Sequence, residues 1–282
     1  MKLKRILALA AALVLAAGLA RGEGQERVAS QEERTDVIDL ALDGAVPVLA
    51  DSLLEGTYGI QADVSSSMFK VVSCTLTVRD GEMTARLYMK SDAYSDLFAG
   101  SAEQAVLSAP EERIALSQDE TGPFFDLPVP ALDAPVEFAA LSARKQAWYP
   151  RTLVLRSDSL PLSAFDPAKL ATAASLGLRD GTYLCGVSLT GEGRARVQSP
   201  CEVTVQAGQA RAQIVFSTSK IDYILAGGEK LLPLDTEGGA SFLVPVPAFD
   251  RPLAVTVDST AIVPATEVPY SLTFESASLT EK

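Results

Sequence analysis

The chain has no histidine, only three cysteines and one tryptophan in 282 residues, and its aromatic residues amount to 6%. The missing imidazole excludes Ser-His-Asp and Cys-His catalysis, zinc sites of the histidine type and histidine-ligated haem. Enzyme chemistry on this chain is confined to carboxylate-only or lysine-dependent reactions. No Gly-x-Ser-x-Gly elbow, Walker loop or dinucleotide fingerprint is present either, so no enzyme is expected. The acidic stretches Gln118-Asp119-Glu120 and Asp235-Thr236-Glu237-Gly238 lack the alternating oxygen ligands of a calcium loop and read as solvated turns.

Cations are the minority, 24 Lys and Arg against 36 Asp and Glu, for a net charge of −12. Sequence-independent affinity for nucleic acid and for anionic lipid rests on Lys and Arg, so neither is an expected partner. Three of the cations, Lys2, Lys4 and Arg5, precede an apolar run from Ile6 to Ala20 that is short for a membrane span. With Gly18-Leu19-Ala20 at its end, residues 1–20 read as a signal peptide. Its removal takes three cations and no acid, which leaves −15 on a protein that is secreted or held at the cell surface, with no membrane insertion after cleavage.

What the sequence does contain is a repeat. Cys74-Thr75-Leu76-Thr77-Val78 recurs as Cys201-Glu202-Val203-Thr204-Val205, and Pro128-Val129-Pro130-Ala131-Leu132-Asp133 as Pro245-Val246-Pro247-Ala248-Phe249-Asp250. Gly56-Thr57-Tyr58 matches Gly181-Thr182-Tyr183, and Leu153 to Leu160 matches Leu272 to Leu279. Inside each copy the apolar period is two: Met83, Ala85, Leu87 and Met89 alternate with polar positions, as do Ala210, Ala212, Ile214 and Phe216. Strict alternation marks a strand with one buried face, and Arg79-Asp80-Gly81-Glu82 and Gln206-Ala207-Gly208-Gln209 supply matching turns. The expected fold is all-β: two tandem immunoglobulin-like antiparallel β-sandwiches after the N-terminal signal segment. Residues 54–163 form the first module and 177–282 the second, with a linker over 164–176. Residues 21–53 are a polar spacer in which the spacing from Asp36 to Leu54 allows a short helix or a leading strand.

The insertions that distinguish the copies fall between strands, so sheet register is expected to be common to both. Cys74 and Cys201 fall in phase with the core-facing residues of their strands, while Cys185 has Ile60 as its counterpart. Two roles stay open: small buried thiols, or a disulfide between Cys185 and Cys201, which export permits.

Aromatic and methionine positions mark the candidate site. In the first copy these are Ser67, Met68, Tyr94, Trp148 and Tyr149, and the corresponding regions of the second hold Arg194, Arg196, Tyr223 and Tyr270. A groove at one end of a sandwich, lined by such residues, would hold a flat hydrophobic ligand. The alternative is that they fill the core and the sheet edge.

The order of Gly-Thr-Tyr, the Cys-x-Leu/Val-Thr-Val strand, the Pro-Val-Pro-Ala-Leu/Phe-Asp segment and a last strand such as Val268-Pro269-Tyr270-Ser271-Leu272-Thr273-Phe274-Glu275 resembles the near-iron-transporter (NEAT) family. These are immunoglobulin-like surface modules that bind haem or haemoproteins. The resemblance implies a haem ligand and iron capture, with Ser67-Met68 where the family places a Ser and a Met over the haem. Haem-binding members carry two tyrosines four residues apart, whereas no two of the seven tyrosines here have that spacing. Tyr149 and Tyr270 are left as the candidate phenolates. From a different class of function, the expectation is an adhesion or structural sandwich that presents loops to protein or glycan partners.

Overall fold

The computed structural model describes residues 26–34, 38–40, 42, 45–191, 193–261 and 265–282. The expected signal segment lies outside the described residues, as does Asp36, where the leading helix or strand would begin. Among the described residues no helix is long and apolar enough to cross a membrane. The chain is an all-β sandwich protein with antiparallel sheets.

The strands up to residue 156 are β1 (Arg27–Val28), β2 (Gly56–Gly59), β3 (Gln61–Val64), β4 (Val71–Arg79), β5 (Glu82–Met89), β6 (Tyr94–Phe98), β7 (Ile114–Ala115), β8 (Ser117–Gln118), β9 (Pro123–Pro128), β10 (Val136–Ser142) and β11 (Ala147–Arg156). One sheet runs β2-β4-β5-β9-β8; the other runs β1-β11-β10-β6-β7, with β3 also on β11. The remaining strands are β12 (Gly181–Gly191), β13 (Cys201–Gln206), β14 (Gln209–Val215), β15 (Ile221–Ala226), β16 (Glu229–Leu231), β17 (Ser241–Val246), β18 (Leu253–Ser259) and β19 (Thr266–Glu281). They form one continuous ladder, β16-β15-β18-β19-β12-β13-β14-β17. One difference between them is a joint. The chain passes from β2, paired with β4, to β3, paired with β11, and breaks at Ile60. At the corresponding place β12 runs unbroken through Cys185, pairing with β13 from Gly181 to Cys185 and with β19 from Tyr183 to Gly191, with a register shift at Cys185.

Alternation decides what is inside. Leu76, Ala85, Leu87, Leu127 and Leu153 belong to one apolar cluster; Val203, Ala212, Ile214, Val244 and Leu272 belong to a second. Residues 164–176 are shared between the two: Ala164 and Phe165 are buried in the first, and Ala173 in the second. Phe165 bridges Leu53, and Ala171 bridges Phe249. From the second cluster's side Arg251 reaches across, its Nη1 donating to Ser157 Oγ at 2.9 Å and its guanidinium 4.4 Å from the Phe165 ring centre. Burial lowers the Arg251 pKa, opposed by Asp133, Asp250 and Asp158 nearby.

The sequence repeat is a repeat of hydrogen bonds. Asp80-Gly81 and Ala207-Gly208 both turn with positive φ (52° and 76°, 51° and 74°), the two-residue hairpin geometry that suits strand twist. Glu55 accepts the Asp80 N–H and Asp180 the Ala207 N–H, at 3.0 and 2.8 Å. Tyr58 and Tyr183 each donate to the carbonyl four residues earlier, Leu54 and Arg179, at 3.0 Å. Asp133 and Asp250 both take positive φ (53° and 58°). Each closes a clasp: Asp133 accepts the N–H and hydroxyl of Ser157, the first residue past β11, and Asp250 those of Ser276 on β19. Two residues further on, Ser159 accepts from Gln61 N–H and donates to Arg156 O, while Ser278 accepts from Gly186 N–H and donates to Glu275 O.

The Pro-Val-Pro segment protects an edge. Val129 N–H donates inward to Met83 O, so by alternation the positions of Pro128 and Pro130 face the open side of the strand, where proline removes the donor. Val246 pairs with Ala210, the counterpart of Met83, which gives Pro245 and Pro247 the same role. An edge without donors is a poor template for another strand.

Among the described residues, one face carries a cover in the first sandwich that has no counterpart in the second. Helix α1 (Ala102–Leu107), opened by a capping box between Ser101 and Gln104, packs with Val28 of β1 over Ala139, Leu141 and Trp148. Trp148 is 0% exposed, and its Nε1–H donates to Glu26, which also pairs with Arg113 at 2.9 Å.

Candidate functional site

A comparison of the two sandwiches through their shared register locates a cleft in the second. Phe138 lies opposite Arg151, and Val255 opposite Tyr270. Tyr94 lies opposite Ser142, and Ile221 opposite Ser259, each beside a bulge. Phe69 is two residues before Val71, which pairs with Met89; Ala195 is two before Val197, which bridges Phe216. The end of the first sandwich is therefore filled by Phe69, Tyr94 and Phe138, with Phe69 ring centres 5.2 and 5.1 Å from the other two. In the second sandwich the same places hold Ala195, Ile221 and Val255. Ala195 and Ile221 of these line a cleft of about 460 Å³, within the range of small-molecule sites.

It is lined by Ile221, Val257, Val268 and Tyr270, with Ser217, Thr218, Ser259 and Arg194 also among its lining. Tyr270 and Val268 are presented inward by alternation along β19. The Tyr270 hydroxyl accepts the Ala195 N–H at 3.2 Å. This approach requires Gly193, because a Cβ there would fall 1.8 Å from the Tyr270 oxygen. Arg194 is exposed and makes no ion pair with an acid among the described residues. Apolar walls, a phenol and a rim cation together suit a ligand with an apolar body and an acidic group.

Two other hollows belong to the scaffold. The groove of about 730 Å³ lined by Leu49, Met83 and Pro128 recurs, at about 340 Å³, around Thr172, Ala210 and Pro245. A third, about 470 Å³, lies around Arg251 between the two cores.

Of the sequence-predicted residues, the structure brings Arg194 and Tyr270 together in the cleft. Arg196 is next to it but exposed, its Nη1 bonded to Ala195 O at 2.9 Å. Tyr223 is elsewhere: its hydroxyl donates to Glu267 at 2.7 Å and Lys230 lies 3.5 Å from its ring centre. The Glu267 hydrogen bond, with burial and nearby acids, pushes its phenol up to about 12, which keeps it protonated. In the first sandwich Tyr94 and Tyr149 are buried beside Arg151, whereas Ser67 and Met68 are exposed, Met68 by 61%. Trp148 faces the opposite side of the sheet from Tyr149, under α1, and cannot share a groove with it.

Cys185 and Cys201 are direct register partners, buried and present as thiols, as is Cys74. Burial raises all three, Cys74 and Cys201 to about 12, so none is a ready nucleophile. Among the described residues no group of His, Cys, Asp or Glu is arranged to hold a metal. Sequence reasoning missed Ile221, Val257 and Val268, which look like ordinary core residues, and it missed Arg151. A signal for Arg151 existed: it is a charge in the inward phase of Tyr149, Leu153 and Leu155.

No protein-family model matches this sequence, and comparison with curated proteins finds no similar one.

Proposed function

We propose that this is an exported, non-enzymatic binding protein whose second sandwich captures a flat, largely apolar ligand bearing an acidic group, with haem as the ligand to test. The observation that carries the reading is the replacement of Phe69 and Tyr94 by Ala195 and Ile221 at matched positions, both of which line the cleft beside Tyr270 and Arg194. Two sandwiches with the same framework differ where a ligand would sit, and the difference is in volume. The residues fit haem: Tyr270 offers a phenol oxygen, an iron ligand that needs no histidine, and Arg194 offers a cation for a propionate. Thr266 stands four before Tyr270, so a second phenol is not available to it from that position. Resemblance to the NEAT family adds support through pattern and order.

Titration of the purified protein with haemin tests this. The expected result is a saturating Soret shift that Tyr270→Phe abolishes and Tyr149→Phe leaves in place. An unchanged spectrum for the intact protein removes haem from the reading.

A further inference from the structure

The hollow of about 470 Å³ between the two cores is built by both sandwiches: Leu160, Pro161 and Leu162 follow β11, while Pro247, Pro252 and Leu253 belong to the second sandwich. Its cation is peculiar to this junction. Where the second copy reads Asp250-Arg251-Pro252, the first reads Asp133-Ala134-Pro135. Two charged residues line the hollow, Arg251 and Asp158. Arg251 is half-buried and pinned, with Nη1 on Ser157 Oγ at 2.9 Å and its guanidinium 4.4 Å from the Phe165 ring centre. Its Nε and Nη2 make no hydrogen bond to the described residues, whereas Arg86 sets the same edge against Asp126 at 2.8 and 2.9 Å. Asp158 is exposed and forms no direct ion pair with Arg251 or with any other described cation. Acids outnumber the guanidinium here, since Asp133, Asp250 and Asp158 all act on its charge. Asp133 and Asp250 are engaged by Ser157 and Ser276, which leaves Asp158 as the free carboxylate. A simple anion would meet net negative charge, and a simple cation would leave the Arg251 edge unused. A carboxylate for Arg251, an ammonium for Asp158 and an apolar body for the prolines and leucines complement all three features at once.

We infer that the junction of the two sandwiches is a binding site for an apolar zwitterion of the amino-acid type, its carboxylate on the Nε and Nη2 edge of Arg251 and its ammonium on Asp158. The same two charges stand farther apart at the ends of a short peptide, so a free amino acid and a dipeptide are the two sources of this chemistry. The site is separate from the cleft at Tyr270, and the inference does not rest on the haem reading.

The test is isothermal titration calorimetry of the full chain with leucine and with leucyl-leucine. Saturable binding is expected for at least one of them, and the tighter of the two identifies the source. N-acetylleucine lacks the ammonium and leucinamide lacks the carboxylate, so each should bind at least tenfold more weakly than leucine if leucine is the ligand; the acetylated and amidated dipeptides serve in the same way if leucyl-leucine is. Asp158→Asn changes an exposed carboxylate that the fold does not use, and it should weaken the zwitterion at least tenfold while leaving the acetylated ligand unchanged. Arg251→Lys keeps the charge but loses the fork, and it should weaken the zwitterion and the acetylated ligand alike; if that variant does not fold, Asp158→Asn still decides. No saturable binding of leucine or leucyl-leucine, equal binding of the acetylated or amidated forms, or undiminished binding by Asp158→Asn overturns the inference.

Discussion

Replacing Asp133 by Ala removes the clasp on which the last strand of the first sandwich closes. Its carboxylate accepts the N–H of Ser157 at 2.9 Å and the Ser157 hydroxyl, and Ser157 is 2% exposed. Leaving that buried N–H without an acceptor costs about 1–3 kcal/mol. Alanine must also adopt the φ of 53° that Asp133 has, which adds about 1–2 kcal/mol. The expected loss is roughly 2–5 kcal/mol, and at about 4 °C per kcal/mol the unfolding temperature falls by roughly 8–20 °C. Asp133→Gly relieves the backbone and should recover about 1–2 kcal/mol of this. Asp250→Ala should cost less, because its partner Ser276 is only half-buried. Urea and thermal unfolding followed by circular dichroism read all three. A change within about 1 kcal/mol for Asp133→Ala refutes the claim that the clasp holds the strand.

The thiols and the edge prolines give independent checks. With Cys74 and Cys201 raised to about 12 by burial, Ellman's reagent at pH 8 should scarcely react with the folded chain. Three thiols are expected to react in denaturant without reductant; one would mean that Cys185 and Cys201 are bridged. Because the folded pKa values lie above the unfolded value of about 8.5, the stability from keeping these thiols protonated is complete below that pH. It is lost as pH rises toward 12. Pro128→Thr and Pro245→Thr restore outward N–H groups at open edges. Light scattering should show faster self-association with stability altered by no more than about 0.5 kcal/mol, and unchanged scattering would mean that the prolines have another role.

Much of the framework was legible because it is local. Period-two runs, the Asp80-Gly81 turn and its Ala207-Gly208 counterpart each occupy a few residues, and two copies allow one to check the other. The match of Leu153–Leu160 to Leu272–Leu279 is borne out by the Asp133 N–H on Leu155 O and the Asp250 N–H on Phe274 O. The aspartate of the repeated Pro-Val-Pro motif could be seen but not its use, since Ser157, just past the end of β11, and Ser276, on β19, lie far from it in sequence. Helix α1 was missed although Ser101-x-x-Gln104 is a capping signal. Trp148 was misplaced although alternation alone puts it on the opposite face from Tyr149. The cleft was illegible for a different reason. It is made by what Ala195 and Ile221 fail to fill, and only the pairing register shows which aromatic residue each one stands for.

The most direct measurement refills that space. Ala195→Phe with Ile221→Tyr gives the second sandwich two of the aromatic side chains that close the first, and haemin titration of this variant beside the wild type reads the consequence. The account expects saturable Soret binding by the wild type and at least tenfold weaker binding by the refilled variant, with the strand signature in circular dichroism kept. Equal binding by the two, with the variant folded, would contradict the cleft as the ligand site.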